Sequence, residues 1–321
     1  MSCGSFINKE EKMGKYIIKR IGYSILSLFV IVTITFFLMR LAPGSPFATE
    51  QNNISPQIQE QLNEQYGLND PWYEQYVNYL GDVVTMDFGQ SMKYRGRSTN
   101  DMIAESFPVS AVLGASSLLF AVGFGVLSGV ISAMNHNKWP DYLATIVSVL
   151  GISIPSFVLG SLMQYQLGLQ LGWFPISGWT SFAHTILPSL ALGLGYMGNI
   201  AKMTRSSLLE QNTSEYVKLA RAKGRTKWGI AWNHSLKNAL LPVVTYLGPL
   251  TAGILTGSFV IENIFAIPGL GRHFVQSINN RDYTVIMGIT VFFAIVLLIA
   301  VLIVDILYVF LDPRIDLEGE D

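Results

Sequence analysis

Six stretches of this chain are long, apolar and almost free of charge, and no other feature limits its fold so strongly. They run about Ile21–Met39, Val109–Met134, Tyr142–Leu162, Ile186–Ile200, Leu241–Val260 and Val285–Phe310, and Asp305 is the one charged residue inside them. A helix rising 1.5 Å per residue needs about 20 apolar residues to cross a bilayer's hydrocarbon. Only 13% of the chain is charged, where soluble domains carry about 25%. The expected fold is therefore an all-α integral membrane protein with six transmembrane helices. The fourth span is the shortest, and Gly193, Gly195 and Gly198 blur its ends.

The opening residues are polar and charged, unlike a cleaved signal peptide. Both Met1 and Met13 are possible starts. Cys3 is the single cysteine and has no internal disulfide partner. The four histidines, His136, His184, His234 and His273, fall in or beside loops without metal-ligand spacing.

Positive charge orients the spans. With the N-terminus inside, all of the 21 lysines and arginines lie in inner segments except Arg40, Lys93, Arg95, Arg97, Arg272 and Arg281. Cytoplasmic loops carry such an excess, so both termini are expected in the cytoplasm. The segments are then a cytoplasmic 1–20, a membrane domain 21–311 and a cytoplasmic tail 312–321.

Two segments between spans carry structure of their own. In the outer segment 42–108, Ser55-Pro56 is expected to start a helix with Ile58, Leu62 and Tyr66 on one face, and Gly67 to stop it. Asp70-Pro71 starts another, with Tyr73, Val77 and Leu80 on one face, resting on the outer membrane surface. The inner segment 206–240 is too long for a connector, since helix–helix links take about 2–8 residues. Thr213 or Ser214 can cap a helix with Glu215 in its first turn, and Gly224 reads as its stop. Thr226 can cap a second short helix through Trp228, Ile230 and Trp232. Arg205, Lys218, Arg221, Lys223, Arg225, Lys227 and Lys237 outweigh Glu210 and Glu215 here. A basic segment can rest on anionic lipid, but small alanines, a forced turn and two tryptophans read as a docking knuckle.

At this segment the chain resembles a known family. Ala220-Arg221-Ala222-Lys223-Gly224, then His234, Leu236, Asn238, Ala239 and Pro242, resemble the cytoplasmic EAA loop of ATP-binding cassette importer permeases. Lys218, Leu219 and Ala220 stand where the general pattern has Glu-Ala-Ala, and His234-Ser235-Leu236-Lys237 replaces its Ile-x-Leu-Pro ending; both departures are similar to the oligopeptide/dipeptide branch. Further stretches agree with that branch: Leu41-Ala42-Pro43-Gly44-Ser45-Pro46, Gly89-Gln90-Ser91, Ile154-Pro155-Ser156, Glu262-Asn263-Ile264-Phe265, Pro268-Gly269-Leu270-Gly271-Arg272, Arg281-Asp282-Tyr283, and Leu311-Asp312-Pro313-Arg314-Ile315.

The resemblance implies a prokaryotic cytoplasmic-membrane subunit forming half of a peptide path, with no catalysis of its own. It has no Gly-x-x-x-x-Gly-Lys-Ser/Thr loop, so ATP and Mg are expected on two separate ATPase subunits. A second permease, making a heterodimer, and an external binding protein complete the implied set; no metal or nucleic acid is implied. The coupling set is Glu215, Ala220, Arg221, Ala222, Lys223, Gly224, Arg225, Trp228, His234, Asn238 and Pro242. Polar groups at membrane depth, Ser153, Ser156, Tyr196, Asn199, Thr245 and Thr251, together with Pro155, which is expected to kink the third span, line a wet path or bond between helices.

Asp305 is expected to form a structural salt bridge near the inner face rather than a proton relay, and Arg40 to snorkel outward. Nickel or glutathione cargo is the neighbouring alternative. An ion-coupled carrier is a more remote one. An intramembrane protease would need Ser116 to meet His184 or His273, and both histidines fall in outer segments.

Overall fold

The computed structural model describes residues 3–41, 46–47 and 56–311, with the side chains of 3–13, 56, 256–257 and 307–311 left aside. Most of the 41–46 motif, Ser55, the tail 312–321 with its Asp-Pro-Arg-Ile, and the Tyr308 side chain lie outside what is described.

The described chain is helical, and its extended pairing is one isolated bridge between Gln90 and Ser98. In order, the helices are α1 (Cys3–Leu41), α2 (Pro56–Gln65), α3 (Trp72–Thr85), α4 (Thr99–Met134), α5 (Trp139–Ser153), α6 (Ser156–Met163), α7 (Ala183–Gln211), α8 (Glu215–Ala222), α9 (Lys227–Ile230), α10 (Leu236–Ala239), α11 (Leu241–Ile264), α12 (Leu270–Asn280) and α13 (Tyr283–Leu311). Wider π turns follow α6 over Gln164–Gln170 and α9 over Ala231–Ser235.

Among the described residues four helices are apolar and long enough to cross a membrane: α1, α4, α11 and α13. A fifth span forms if α5 and α6 count together, although they bend by 106° at their junction. The third span is thus broken rather than kinked. Pro155 has no N–H and cannot continue the ladder from α5, and Ile154 before it adopts an extended ψ of 123°. The fourth expected span lies inside α7, which has the length of a span but not the apolarity. Glycines, Asn199, Lys202 and Arg205 dilute it.

α7 is nevertheless the central helix. Leu187, Leu192 and Ile200 on α7 pack with Leu113 and Ala121 of α4 and with Leu250 and Ile261 of α11. Its glycines are contact points between backbones: a Cβ on Gly198 would stand 2.5 Å from the Ser148 carbonyl of α5. Gly129 of α4 sits as tightly, 2.7 Å from the Ala201 carbonyl. Lipid tails are as apolar as leucine, so helices associate in a membrane through this close van der Waals fit.

A second core joins Val32 of α1, Met102 and Ile103 of α4, Leu270 of α12, Val285 and Ile289 of α13, and Phe88 of the outer segment. The outer segment is built onto this core. α2 stops at Gln65, and Gly67 takes a positive φ of 62°. On α3, Tyr73 and Val77 are exposed, while Leu80, expected on their face, turns with Tyr76, Tyr79 and Val83 to the bundle. Tyr76 lies against Phe36 and Phe37 and bonds Thr33 of α1 at 2.7 Å. An i, i+4 apolar stripe does not by itself tell a protein-facing surface from a lipid-facing one.

Candidate functional site

The most self-contained site is the knuckle between α7 and α11. Ser214 occupies the N-cap of α8 with an extended ψ, but its hydroxyl turns back to the Gln211 carbonyl at 2.6 Å, and Thr213 bonds Glu210 at 2.7 Å. Neither hydroxyl caps the helix as expected. Glu215 supplies the negative charge at the first turn and pairs with Lys218 at 2.7 Å. The end of α8 follows its sequence signal closely. Gly224 has φ +75°, its N–H bonds the Arg221 carbonyl at 2.9 Å, and the Arg225 N–H bonds the Ala220 carbonyl at 3.2 Å. That pair of bonds is the Schellman stop, in which glycine occupies the left-handed position without Cβ strain. Thr226 then caps α9, accepting from the Gly229 N–H at 3.1 Å.

Val217, Ile230, Ala231, Ser235 and Ala239 anchor the knuckle inward. Asn238 reaches Tyr216 at 3.4 Å, tying α10 to α8. Outward stand Ala222, Lys223, Gly224, Arg225 and His234, with Trp228 at 47% and Trp232 at 49% exposure. Ala220 is half-buried, and Pro242 sits in the first turn of α11. The expected coupling residues thus lie along one continuous stretch from α8 to the first turn of α11.

A buried ion pair that sequence reading missed supports that end of the bundle. Asp141, 2% exposed at the start of α5, takes Nε and Nη2 of Arg205 on α7 at 2.7 and 2.8 Å. It also accepts from Ser132 Oγ at 2.5 Å and the Asn137 N–H at 2.9 Å, and meets His136 Nδ1 at 3.3 Å. The fork geometry of arginine matches both carboxylate oxygens. Asp305 finds Arg20 of α1 at 2.9 Å, the structural salt bridge expected of it.

At the α5–α6 break, Pro155, Ser156, Tyr196 and Asn199 line a cavity of about 250 Å³ with Gly151, Gly195 and Leu192. Four of the expected path residues therefore share one space. Ser153 is exposed beside it and does not line it. Thr245 and Thr251 do not line it, and each hydroxyl bonds a carbonyl of its own helix, Pro242 and Leu247, at 2.8 and 2.7 Å. Asn199 also holds the Tyr246 hydroxyl of α11 at 3.2 Å.

Two buried carboxylates flank α12. Glu262 at the end of α11 is fully buried and accepts the Gly271 N–H at 2.8 Å, while the Leu270 N–H goes to Ser110 Oγ at 2.9 Å. Together they satisfy the first turn of α12, which gives the Glu-Asn-Ile-Phe and Pro-Gly-Leu-Gly-Arg motifs a shared structural reason. Asp282, also fully buried, bonds Ser91 Oγ and the Met92 N–H. Arg40 bonds Gln75 at 3.2 Å. Ser116 bonds the Val112 carbonyl of its own helix and His184 meets Ser181, so that serine is not paired with that base. His273 stands half-buried on α12; burial, then Arg97 and Arg272, hold its pKa below the ordinary histidine value.

Several apolar helices around a polar cavity, with a capped basic protrusion at one end, define a multi-pass membrane protein. The chain belongs to a transport family: the model for the binding-protein-dependent transport system inner membrane component matches residues 125–317, and the model for that component's N-terminal part matches 13–115. It is 48% identical over 305 residues to the dipeptide transport system permease protein DppB of Bacillus subtilis, covering 95% of this chain and 99% of that one. It is 44% identical to DppB of Lactococcus lactis, covering 95% and 100%. To the oligopeptide transport system permease protein OppB of Escherichia coli K12 it is 44% identical, covering 94% and 99%. The chain is a transport permease subunit.

Proposed function

We propose that this permease forms half of the translocation path for dipeptides or oligopeptides in an ATP-driven importer. The observation that carries the reading is the α8–α9 knuckle, a glycine-stopped protrusion with exposed tryptophans, on a chain matched over nearly its full length by peptide permeases. The nickel and glutathione alternatives have no such support.

In this reading the chain crosses the cytoplasmic membrane of a prokaryote six times, with α5–α6 as one broken span and α7 as another. Both termini and the 206–240 loop face the cytoplasm, and the 42–108 segment faces out, beside an external binding protein. A second permease subunit supplies the other half of the path. Two ATPase subunits hold ATP and Mg, and one of them seats the knuckle. Their closure moves α8–α9, and Val217, Ile230 and Ala239 transmit the motion because they are buried against the bundle. The helices then switch between inward- and outward-facing arrangements, a two-state element biased by a named contact. The cavity at the α5–α6 break offers hydroxyl, amide and open backbone groups without a charge, which suits a cargo held through its peptide backbone.

The test is uptake of labelled di-, tri- and pentapeptides beside nickel, in cells lacking the chain and in cells given it back. Peptide uptake that depends on the chain is the expected result and brackets cargo length. Lost nickel uptake with unchanged peptide uptake would replace the cargo, and no change in either would remove the reading.

A further inference from the structure

At the knuckle end of the bundle, α4, α7, α8 and α9 line a recess of about 260 Å³ that shares Arg221 with the proposed coupling set. Lys138, Arg221 and Lys227 come to it from three separate segments, with His136 and Asn212 between them. No carboxylate among the described residues lines it, and no ion pair among them uses any of the three strong cations. Asp141, which contacts His136, already has its charge matched by Arg205. Three like charges around one concave space raise the local concentration of anions there.

The rest of the surroundings point to what carries that anion. Met134, Leu209 and Ile230 give the recess an apolar wall. It opens where the apolar run of α4 ends, and Trp139, beside Lys138, is 73% exposed, the position of a ring at a membrane interface. One turn further, Tyr142, Leu143 and Ile146 begin an exposed apolar face of α5. A partner protein's carboxylate would use the cations but not that adjoining apolar strip. Basic pockets between membrane helices on the cytoplasmic side bind phosphate headgroups in this way.

We propose that this recess is a binding site for the phosphate headgroup of an anionic phospholipid, with the acyl chains along α5. The lipid then bridges the α4–α5 turn and the coupling knuckle. The inference rests on the proposed topology only in assigning the lipid to the inner leaflet, and a measurement in detergent does not depend on orientation.

The full-length chain, purified in detergent with whatever subunits accompany it, is titrated with phosphatidylglycerol or phosphatidylcholine and read by native mass spectrometry. We expect one phosphatidylglycerol to be retained in preference to phosphatidylcholine. Lys138→Gln, and then Lys138→Gln with Lys227→Gln, weaken retention by about fivefold for each lysine removed. Lys202→Gln, on α7 outside the recess, leaves it unchanged. Equal retention of both lipids, or unchanged retention in the double variant, overturns the proposal. Displacement of the lipid by millimolar inorganic phosphate assigns the site to a free anion instead. Loss of an accompanying subunit from Lys138→Gln with the lipid still bound assigns it to a partner's carboxylate. Because the readout is lipid mass, a failed peptide-uptake test leaves this result standing.

Discussion

Ser91 and Asp282 lie 191 residues apart and share a buried hydrogen bond, which fastens the outer segment to the junction of α12 and α13. The other Asp282 oxygen accepts the Met92 N–H at 3.1 Å and faces the Val285 N–H of the first α13 turn at 3.4 Å. Ser91 Oγ in turn accepts from the Tyr94 N–H at 2.8 Å, and the Tyr66 hydroxyl bonds the Ser91 carbonyl at 2.9 Å. One carboxylate therefore organises the outer loop and starts a membrane helix.

Asp282→Ala leaves these buried donors without an acceptor, at an expected cost of about 3 kcal/mol. Ser91→Ala removes one partner of the same carboxylate and costs about 1 kcal/mol. Thermal unfolding in detergent measures both. Limited proteolysis should cut the Asp282→Ala chain between α3 and α4 first. A variant as stable and as protease-resistant as the parent would show that the fastening contributes nothing.

The Asp141–Arg205 pair should show strong non-additivity. Either Asp141→Asn or Arg205→Gln strands a partly desolvated partner and is expected to cost about 3–5 kcal/mol. The double variant should lose markedly less than the sum, because both charges go together. Unfolding temperatures for the four proteins close the cycle. Simple additivity would mean that the two groups act separately despite their 2.7 Å contact.

The knuckle was legible because its signals are local. A short helix, the left-handed glycine that stops it and the threonine that caps the next occupy a dozen residues, and each acts on its neighbours. The break at Pro155 was legible as a site but not in size, because a missing N–H shows where a ladder stops and not where the next helix points. Asp141, Glu262 and Asp282 were not legible as fasteners. Asp282 finds Ser91 across about three-fifths of the chain, and no spacing in a single sequence records that pairing. On α3 the apolar pattern is real, but which of its residues meet protein is settled by Phe36 and Phe37 of α1, which lie against Tyr76.

The proposed topology places α2 and α8–α9 on opposite sides of the membrane. In a Cys3→Ser background, a cysteine at Gln61 should react with an impermeant thiol reagent in intact cells, while one at Lys227 should react only after the membrane is opened. Both positions are exposed, so silence cannot be put down to burial. Labelling in the reverse order would invert the orientation, and labelling of both in intact cells would place them on one side.

Gly224 separates conformation from contact. A Cβ there would meet nothing within 4 Å, so the space is open, and only the φ of +75° resists a side chain. Gly224→Ala should therefore fold normally and lose about 1 kcal/mol, locally at the α8 stop. Gly224→Asp carries the same backbone strain and adds a charge at the tip of a surface proposed to enter an ATPase groove. Expression and membrane insertion are expected to match the parent in both variants. Peptide uptake and peptide-stimulated ATP hydrolysis should fall modestly in Gly224→Ala and at least tenfold in Gly224→Asp, the effect of about 1.4 kcal/mol or more at a desolvated contact. If both variants lost function equally, the turn's shape would be the whole requirement. If Gly224→Asp transported normally, the knuckle would not be the coupling contact, since no other effect of that substitution remains to mask one.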